Sequence, residues 1–179
     1  METVLILDFG AQYSQLIARR VREQNVYCEV KPCSISPDEI RKLAPIGIIL
    51  SGGPQSVYES VSLHVDPALF SLGIPVLGIC YGCQLMAYSL GGTVAAATEA
   101  TAREYGKTLT EFDTESAIFH GLPASSVTWM SHGDYISQVP DGFTVTAKTA
   151  VCPTAAMACP EKKLYGVQFH PEVQHTVQG

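Results

Sequence analysis

The sequence predicts an open α/β fold: a mostly parallel central sheet flanked by helices, with an antiparallel extension in the C-terminal half. Three observations carry the prediction. Four continuous apolar runs alternate with helical patterns over about the first ninety residues, the signature of buried parallel strands joined by crossover helices. From Thr93 onward the texture changes to short alternating segments separated by turn residues such as Asp141-Gly142 and Glu161-Lys162, which suits antiparallel strands added to the same sheet. The chemically distinctive stretches Asp8-Phe9-Gly10, Ser51-Gly52-Gly53-Pro54 and Cys80 all follow apolar runs. That places them on one rim, at the carboxyl ends of the strands, where open α/β sheets carry their sites.

The elements follow in order. Val4 to Leu7 is the first buried strand, and a helix is expected from about Gln12 to Gln24, with Leu16, Ile17 and Val21 on one face and Arg19, Arg20 and Arg22 elsewhere. Val26 to Val30 is the second strand. Ser36-Pro37-Asp38-Glu39 is a capping box with proline at the first helical position, opening a helix to Leu43. Ile46 to Leu50 is the third strand, Asp66 to Leu72 is expected to be helical, and Ile74 to Ile79 is the fourth strand. A helix follows, taken to run from Gln84 to Leu90 and to be stopped by Gly91-Gly92. Thr108–Phe112, Val127–Met130, Thr144–Lys148, Ala155–Ala158 and Leu164–Phe169 read as the later strands. There is no internal repeat, low-complexity tract or linker, so residues 1–179 are expected to form one domain.

Composition narrows the function. The chain has 179 residues, 46% of them hydrophobic, which is enough for a sizeable core. Its formal net charge of −6 disfavours nucleic acid or an anionic membrane as a partner. No apolar run has the length of a membrane span, and no basic leader precedes the first strand, so a cytoplasmic location is expected. The six cysteines then read as reduced thiols or as chemistry.

Gly78-Ile79-Cys80-Tyr81-Gly82 is the cysteine version of a nucleophile elbow, a sharp strand-to-helix turn whose glycines let the backbone bend. It presents the Cys80 sulfur at a helix N-terminus, where the dipole favours thiolate over thiol. Cys80 and Cys83 also form a C-x-x-C pair, which raises redox and zinc alternatives. A zinc site needs a second tight ligand pair. Cys28 and Cys33 enclose Pro32, and Cys152 and Cys159 stand six residues apart, so neither supplies a familiar spacing. Cys83 reads as an ordinary residue of the helix's first turn.

A thiol nucleophile needs a base. Among the five histidines, His64, His120 and His175 lack a carboxylate at an orienting spacing. His170-Pro171-Glu172 places imidazole and carboxylate on one side of an extended backbone stiffened by proline. His132-Gly133-Asp134 has the same spacing but a looser link. Both pairs stay open on spacing alone, with His170 favoured. The glycine pair Gly52-Gly53 and the amide of Tyr81 offer N–H donors for an oxyanion. Nucleotide binding is poorly supported: the P-loop Lys-Ser/Thr is missing, and Gly10 lies in no G-x-G-x-x-G.

Taken together, Gly78–Gly82, Ser51–Pro54 and Gly166-Val167-Gln168-Phe169-His170-Pro171-Glu172, in that order, resemble class I (triad) glutamine amidotransferases. More narrowly, Asp8-Phe9-Gly10-Ala11-Gln12-Tyr13, Tyr81, Trp129-Met130-Ser131-His132-Gly133-Asp134 and Glu172-Val173-Gln174-His175-Thr176 resemble the amidotransferase domains of GMP synthetases. The resemblance covers essentially the whole chain and implies a flavodoxin-like fold. It implies that Cys80 attacks the side-chain amide of L-glutamine to form a γ-glutamyl thioester and release ammonia, with His170 as acid and base and Glu172 orienting it. It assigns the oxyanion hole to the Gly53 and Tyr81 amides and glutamine binding to Gly52, Gln84, Ser131 and His132. It implies no metal and no cofactor in this domain. ATP and magnesium belong to a synthetase (ATP-pyrophosphatase) domain or subunit that aminates XMP to GMP, whose SGGxDS motif this chain lacks. Asp8 to Tyr13 and the arginine-bearing helix are expected to touch that partner. One departure is Cys83, where the family usually has methionine, and a Cys80–Cys83 disulfide under oxidation remains open. The competing readings are a γ-glutamyl hydrolase, the amidotransferase half of another biosynthetic complex, or a docking module that is silent alone.

Overall fold

A computed structural model describes residues 2–98 and 103–179. Among these residues a nine-stranded sheet forms the centre. Its strands are β1 (Thr3–Asp8), β2 (Tyr27–Pro32), β3 (Gly47–Leu50), β4 (Val76–Ile79), β6 (Glu104–Phe112), β7 (Ser125–His132), β9 (Thr144–Lys148), β10 (Ala156–Cys159) and β11 (Leu164–Val167). Their order is β2-β1-β3-β4-β11-β10-β9-β6-β7. The pairs from β2 through to β11 are parallel, and those from β11 to β7 are antiparallel. The expected parallel sheet and its antiparallel extension are therefore both present and continuous.

Alternation along β1 shows how the layers form. Leu5 and Leu7 join one core with Ile48 and Leu50, under helix α2 (Pro37–Leu43) and helix α3 (Tyr81–Ser89). Ile6 points the other way, into a second core with Ile17 and Ala18 of helix α1 (Ser14–Glu23). A strand buried on both faces has to be apolar throughout, which is why these runs show no polar alternation. The capping box forms as expected: Ser36 Oγ accepts from the Glu39 amide at 3.3 Å, and Glu39 Oε2 accepts from the Ser36 amide at 3.0 Å. No helix among the described residues is long and apolar enough to cross a membrane.

One expected boundary needs correction, one expected helix takes the 3₁₀ form, and one further element is present. The helix after β4 begins at Tyr81, not Gln84, because Cys80 itself is the N-cap and the turn occupies a single residue. The segment expected to be helical over Asp66–Leu72 is a short 3₁₀-helix, Pro67–Ser71, capped by the Asp66 carboxylate on the Ala68 amide at 2.9 Å. A two-stranded antiparallel ribbon, β5 (Thr93–Ala96) with β8 (Asp134–Gln138), was not expected. Helix α3 lies between this ribbon and the sheet, with every residue from Tyr81 to Ala87 buried. It ends as expected at the glycine pair: Gly91 takes φ 92°, and the Gly92 amide reaches back to Ala87 O at 2.7 Å.

Candidate active site

The site is built on the carboxyl ends of β1, β3, β4 and β11. Cys80 follows β4 with φ 52° and ψ −108°, a left-handed backbone that costs a non-glycine residue about 1–3 kcal/mol. The surroundings leave little choice. The Cys80 amide donates to Val167 O at 2.8 Å and its carbonyl accepts from the Gln84 amide at 3.1 Å. A Cβ on Gly78 would sit 2.6 Å from Gly82 O, and one on Gly82 would sit 2.5 Å from Leu50 O. The spacing of the two glycines therefore follows from the close approach of three backbones. Tyr81 is the first residue of α3, so its N–H has no acceptor within the helix.

His170 lies just beyond β11, buried with Glu172. Its Nδ1 contacts Glu172 Oε1 at 2.7 Å, and the ring lies beside Cys80. Gly52 separates the two reactive groups: a Cβ there would lie 3.2 Å from His170 Cε1 and 3.7 Å from Cys80 Cβ. Burial disfavours a charged imidazole, yet the hydrogen bonds and negative charges of Cys80 and Glu172 prevail and raise the His170 pKa to about 10. The pair is thus set to hold a proton on His170 beside the Cys80 sulfur.

That shift has a stability consequence. His170 carries a raised pKa in the fold, against an ordinary value of 6.5, so its stabilising contribution is complete below about pH 6.5 and is lost as the pH rises through about 10. The difference in unfolding free energy between the parent chain and His170→Asn, measured with urea, should hold steady below pH 6.5 and shrink towards pH 10. A difference that grows with pH over that window would contradict the charged state.

The backbone of the His170–Glu172 segment is tied down from two sides. The His170 amide donates to Trp129 O at 2.9 Å, and the Thr176 hydroxyl donates to His170 O at 2.6 Å while accepting from the Trp129 amide at 2.9 Å. Arg20 of α1 donates from Nε to Glu172 O at 2.8 Å, so this arginine braces the site instead of only facing solvent. Tyr13 meets the His170 ring edge-on at 5.9 Å between centroids. Glu172 Oε2 is buried without a hydrogen-bond partner among the described residues.

A polar cavity of about 330 Å³ opens beside Cys80, lined by Gly53, Tyr81, Gln84, Ser131 and His132 among others. The structure therefore brings together the residues assigned from sequence to the nucleophile, the oxyanion hole and substrate binding. It also changes how two of them can act. Both amide protons of Gln84 are committed, to Asp134 O at 2.9 Å and to Gln168 Oε1 at 3.0 Å, which leaves only Oε1 for a ligand. His132 has both ring nitrogens engaged, Nδ1 with Asp134 O at 2.8 Å and Nε2 with Glu104 Oε2 at 3.0 Å. It is not the partner of Cys80, and it offers a ligand its backbone, not its ring. Ser131 O faces the thiol at 3.6 Å. The other histidines lie elsewhere: His64 bonds Ser62, and His175 stacks on Trp129.

Gln168, inside the motif that supplies His170, joins the site without a sequence signal of its own. It is fully buried and donates from Nε2 to Cys80 Sγ at 3.5 Å, oriented by Gln84. A hydrogen bond to a charged group contributes about 1.5–3 kcal/mol, and this contact is long, so the lower end applies. Gln168→Leu should slow iodoacetamide alkylation of Cys80 about tenfold; an unchanged rate would remove Gln168 from the account. Cys83 has no comparable role. Its sulfur packs where a Cβ on Gly166 would come within 2.5 Å, and burial pushes its thiol far above the ordinary range. Cys80 and Cys83 face different surroundings, and both are free thiols.

Comparison with known proteins gives a consistent result. The family model "Glutamine amidotransferase class-I" matches residues 5–179. The chain is 57% identical over 178 residues to the GMP synthase [glutamine-hydrolyzing] of Clostridium botulinum (strain Alaska E43 / Type E3), covering 99% of this chain and 34% of that protein. It is 55% identical over the same length to the one from Geobacillus kaustophilus, again covering 99% of this chain and 34% of the relative. The chain thus spans about a third of the length of the curated relatives it matches. Among solved structures, that of a candidate GMP synthase subunit from Thermoplasma acidophilum superposes with a TM-score of 0.87 at 32% identity, over 99% of this chain and 87% of that one. A Thermotoga maritima glutamine amidotransferase shares the fold, with a TM-score of 0.76 at 24% identity, over 96% of this chain and 76% of the other.

Proposed function

This chain belongs to the class I glutamine amidotransferase family, and from that premise we propose that it hydrolyses L-glutamine and passes the ammonia to a synthetase domain or subunit that aminates XMP to GMP. The observation that supports this best is the strained Cys80 beside the buried, hydrogen-bonded His170–Glu172 pair at the edge of a polar cavity. The relatives whose names include glutamine hydrolysis and GMP synthesis support the choice of substrate and acceptor.

In this reading the Cys80 thiolate attacks the side-chain carbonyl carbon of glutamine. A carbon–sulfur bond forms, and the carbonyl electrons move to oxygen, which takes N–H donors from Tyr81 and Gly53. His170 then gives its proton to the nitrogen, the carbon–nitrogen bond breaks, and ammonia leaves a γ-glutamyl thioester. The now neutral His170 takes a proton from water, whose oxygen attacks the thioester. Glutamate departs, and the thiolate–imidazolium pair is restored. Glu172 fixes the ring's orientation and stabilises its charge throughout. No cofactor takes part in these steps; ATP and magnesium act in the synthetase. Its contact surface is placed at Asp8 to Tyr13 and the exposed side of α1, and the reaction in the cytoplasm.

Incubating the chain with amide-labelled glutamine should yield glutamate and ammonia in equal amounts. Adding the synthetase part with XMP, ATP and magnesium should carry the label into GMP. Absence of glutamate release under both conditions would overturn the proposal.

A further inference from the structure

Around His132, three buried groups meet that no tight sequence spacing connects. Glu104 opens β6, His132 closes β7, and Cys152 lies between β9 and β10. One ligand atom from each lies within 4.8 Å of the others, and the residues are 6%, 4% and 1% exposed. We infer that Glu104, His132 and Cys152 form a binding site for a divalent transition cation of the Zn²⁺ class, at the back wall of the glutamine cavity.

The chemistry follows from the hydrogen bonds. Asp134 O can only accept, so the 2.8 Å contact puts a proton on His132 Nδ1. A backbone carbonyl holding one ring nitrogen in this way is the usual support for a metal-binding imidazole, whose other nitrogen then faces the ion. That other nitrogen, Nε2, stands 3.0 Å from Glu104 Oε2, with one proton between them. Thr149 orients the carboxylate by donating to Oε1 at 2.5 Å, and it also accepts from the Cys152 amide at 2.9 Å. The donor set of one nitrogen, one oxygen and one sulfur suits zinc.

Charge favours the same ion. With the carboxylate and thiolate both ionised, a dication makes the buried cluster neutral, whereas a monocation leaves a buried charge uncompensated. Binding forms bonds from the metal to Nε2, Oε2 and Sγ. It releases two protons, one from the His132–Glu104 contact and one from the Cys152 thiol, which now points to Thr154 O at 3.4 Å. Metal–ligand bonds of about 2.0–2.3 Å place tetrahedral ligands roughly 3.3–3.8 Å apart, so a small contraction closes the site, with water as the fourth ligand.

Because His132, Gly133 and Asp134 line the glutamine cavity, occupancy would fix the shape of that wall. This last consequence rests on the proposed glutaminase reading; the metal site itself does not.

The test uses the Cys80→Ala chain, which removes the competing thiol beside His170. Equilibrium dialysis against chelator-buffered Zn²⁺ should give one ion per chain, with two protons released per ion. Co²⁺ should give a thiolate-to-cobalt absorption band. Cys152→Ser and Glu104→Gln, each added to that background and checked for native circular dichroism, should weaken Zn²⁺ binding at least about 100-fold, and Cys152→Ser should abolish the cobalt band. No stoichiometric binding, or binding that Cys152→Ser leaves intact, would overturn the inference. These readouts need no glutamine, so a chain without glutaminase activity would leave a positive result standing.

Discussion

Replacing Cys80 by alanine is expected to reduce glutamine hydrolysis by on the order of 10⁴-fold or more, while leaving the chain folded. The size follows from the role proposed for the sulfur, since without it there is no thioester and the barrier cannot be divided into two smaller ones. His170 and Glu172 would remain, but an imidazole with no sulfur nucleophile before it has nothing to attack the amide. Stability should change little or even rise, because alanine removes a partly buried polar atom and the strain of φ 52° stays with the backbone. Glutamate release and urea unfolding, measured on the same preparation, separate the two effects. Residual turnover within tenfold of the parent would exclude Cys80 as the nucleophile.

Gly82→Ala should also be damaging, less severely and for a different reason. Alanine is favoured over glycine inside a helix by about 1 kcal/mol, which on propensity alone would make the variant more stable. Here the added carbon would stand 2.5 Å from Leu50 O and 2.7 Å from Leu50 Cβ, and backbone cannot rotate out of the way. Overpacking of this kind costs about 1–3 kcal/mol or more, so the net change is destabilising. Moving α3 away from β3 also moves Cys80 relative to Gly52 and His170. A displacement approaching 1 Å in such a site lowers turnover about 10²-fold. Urea unfolding and glutamate release should both fall; a more stable variant with full activity would show that the elbow does not depend on this contact.

How much of this could be read from sequence depended on the length scale of each signal. β1, β3 and β4 are buried on both faces, so each is a continuous apolar run and was found, as was the capping box at Ser36 to Glu39. The elbow was legible because glycines at 78 and 82 mark backbone contacts that exclude a Cβ. The β5–β8 ribbon was not, since its strands are short and β8 follows β7 through His132-Gly133-Asp134, which reads as a site motif. The start of α3 lies earlier than its sequence pattern suggests, because an elbow compresses strand end, turn and N-cap into one residue. Gln168 stood in plain view, but its role depends on Gln84 reaching across 84 positions. Glu104 gave no signal at all, because its partner His132 is brought to it only by the β6–β7 register.

Cys80, activated by His170, is expected to perform covalent chemistry on a glutamine side chain. Treatment with a γ-electrophilic glutamine analogue followed by peptide mass spectrometry tests it most directly. A single adduct on the Cys80 peptide, suppressed by excess glutamine and lost in His170→Ala, is the predicted result. An adduct on Cys83, or none even with the synthetase part present, would contradict it.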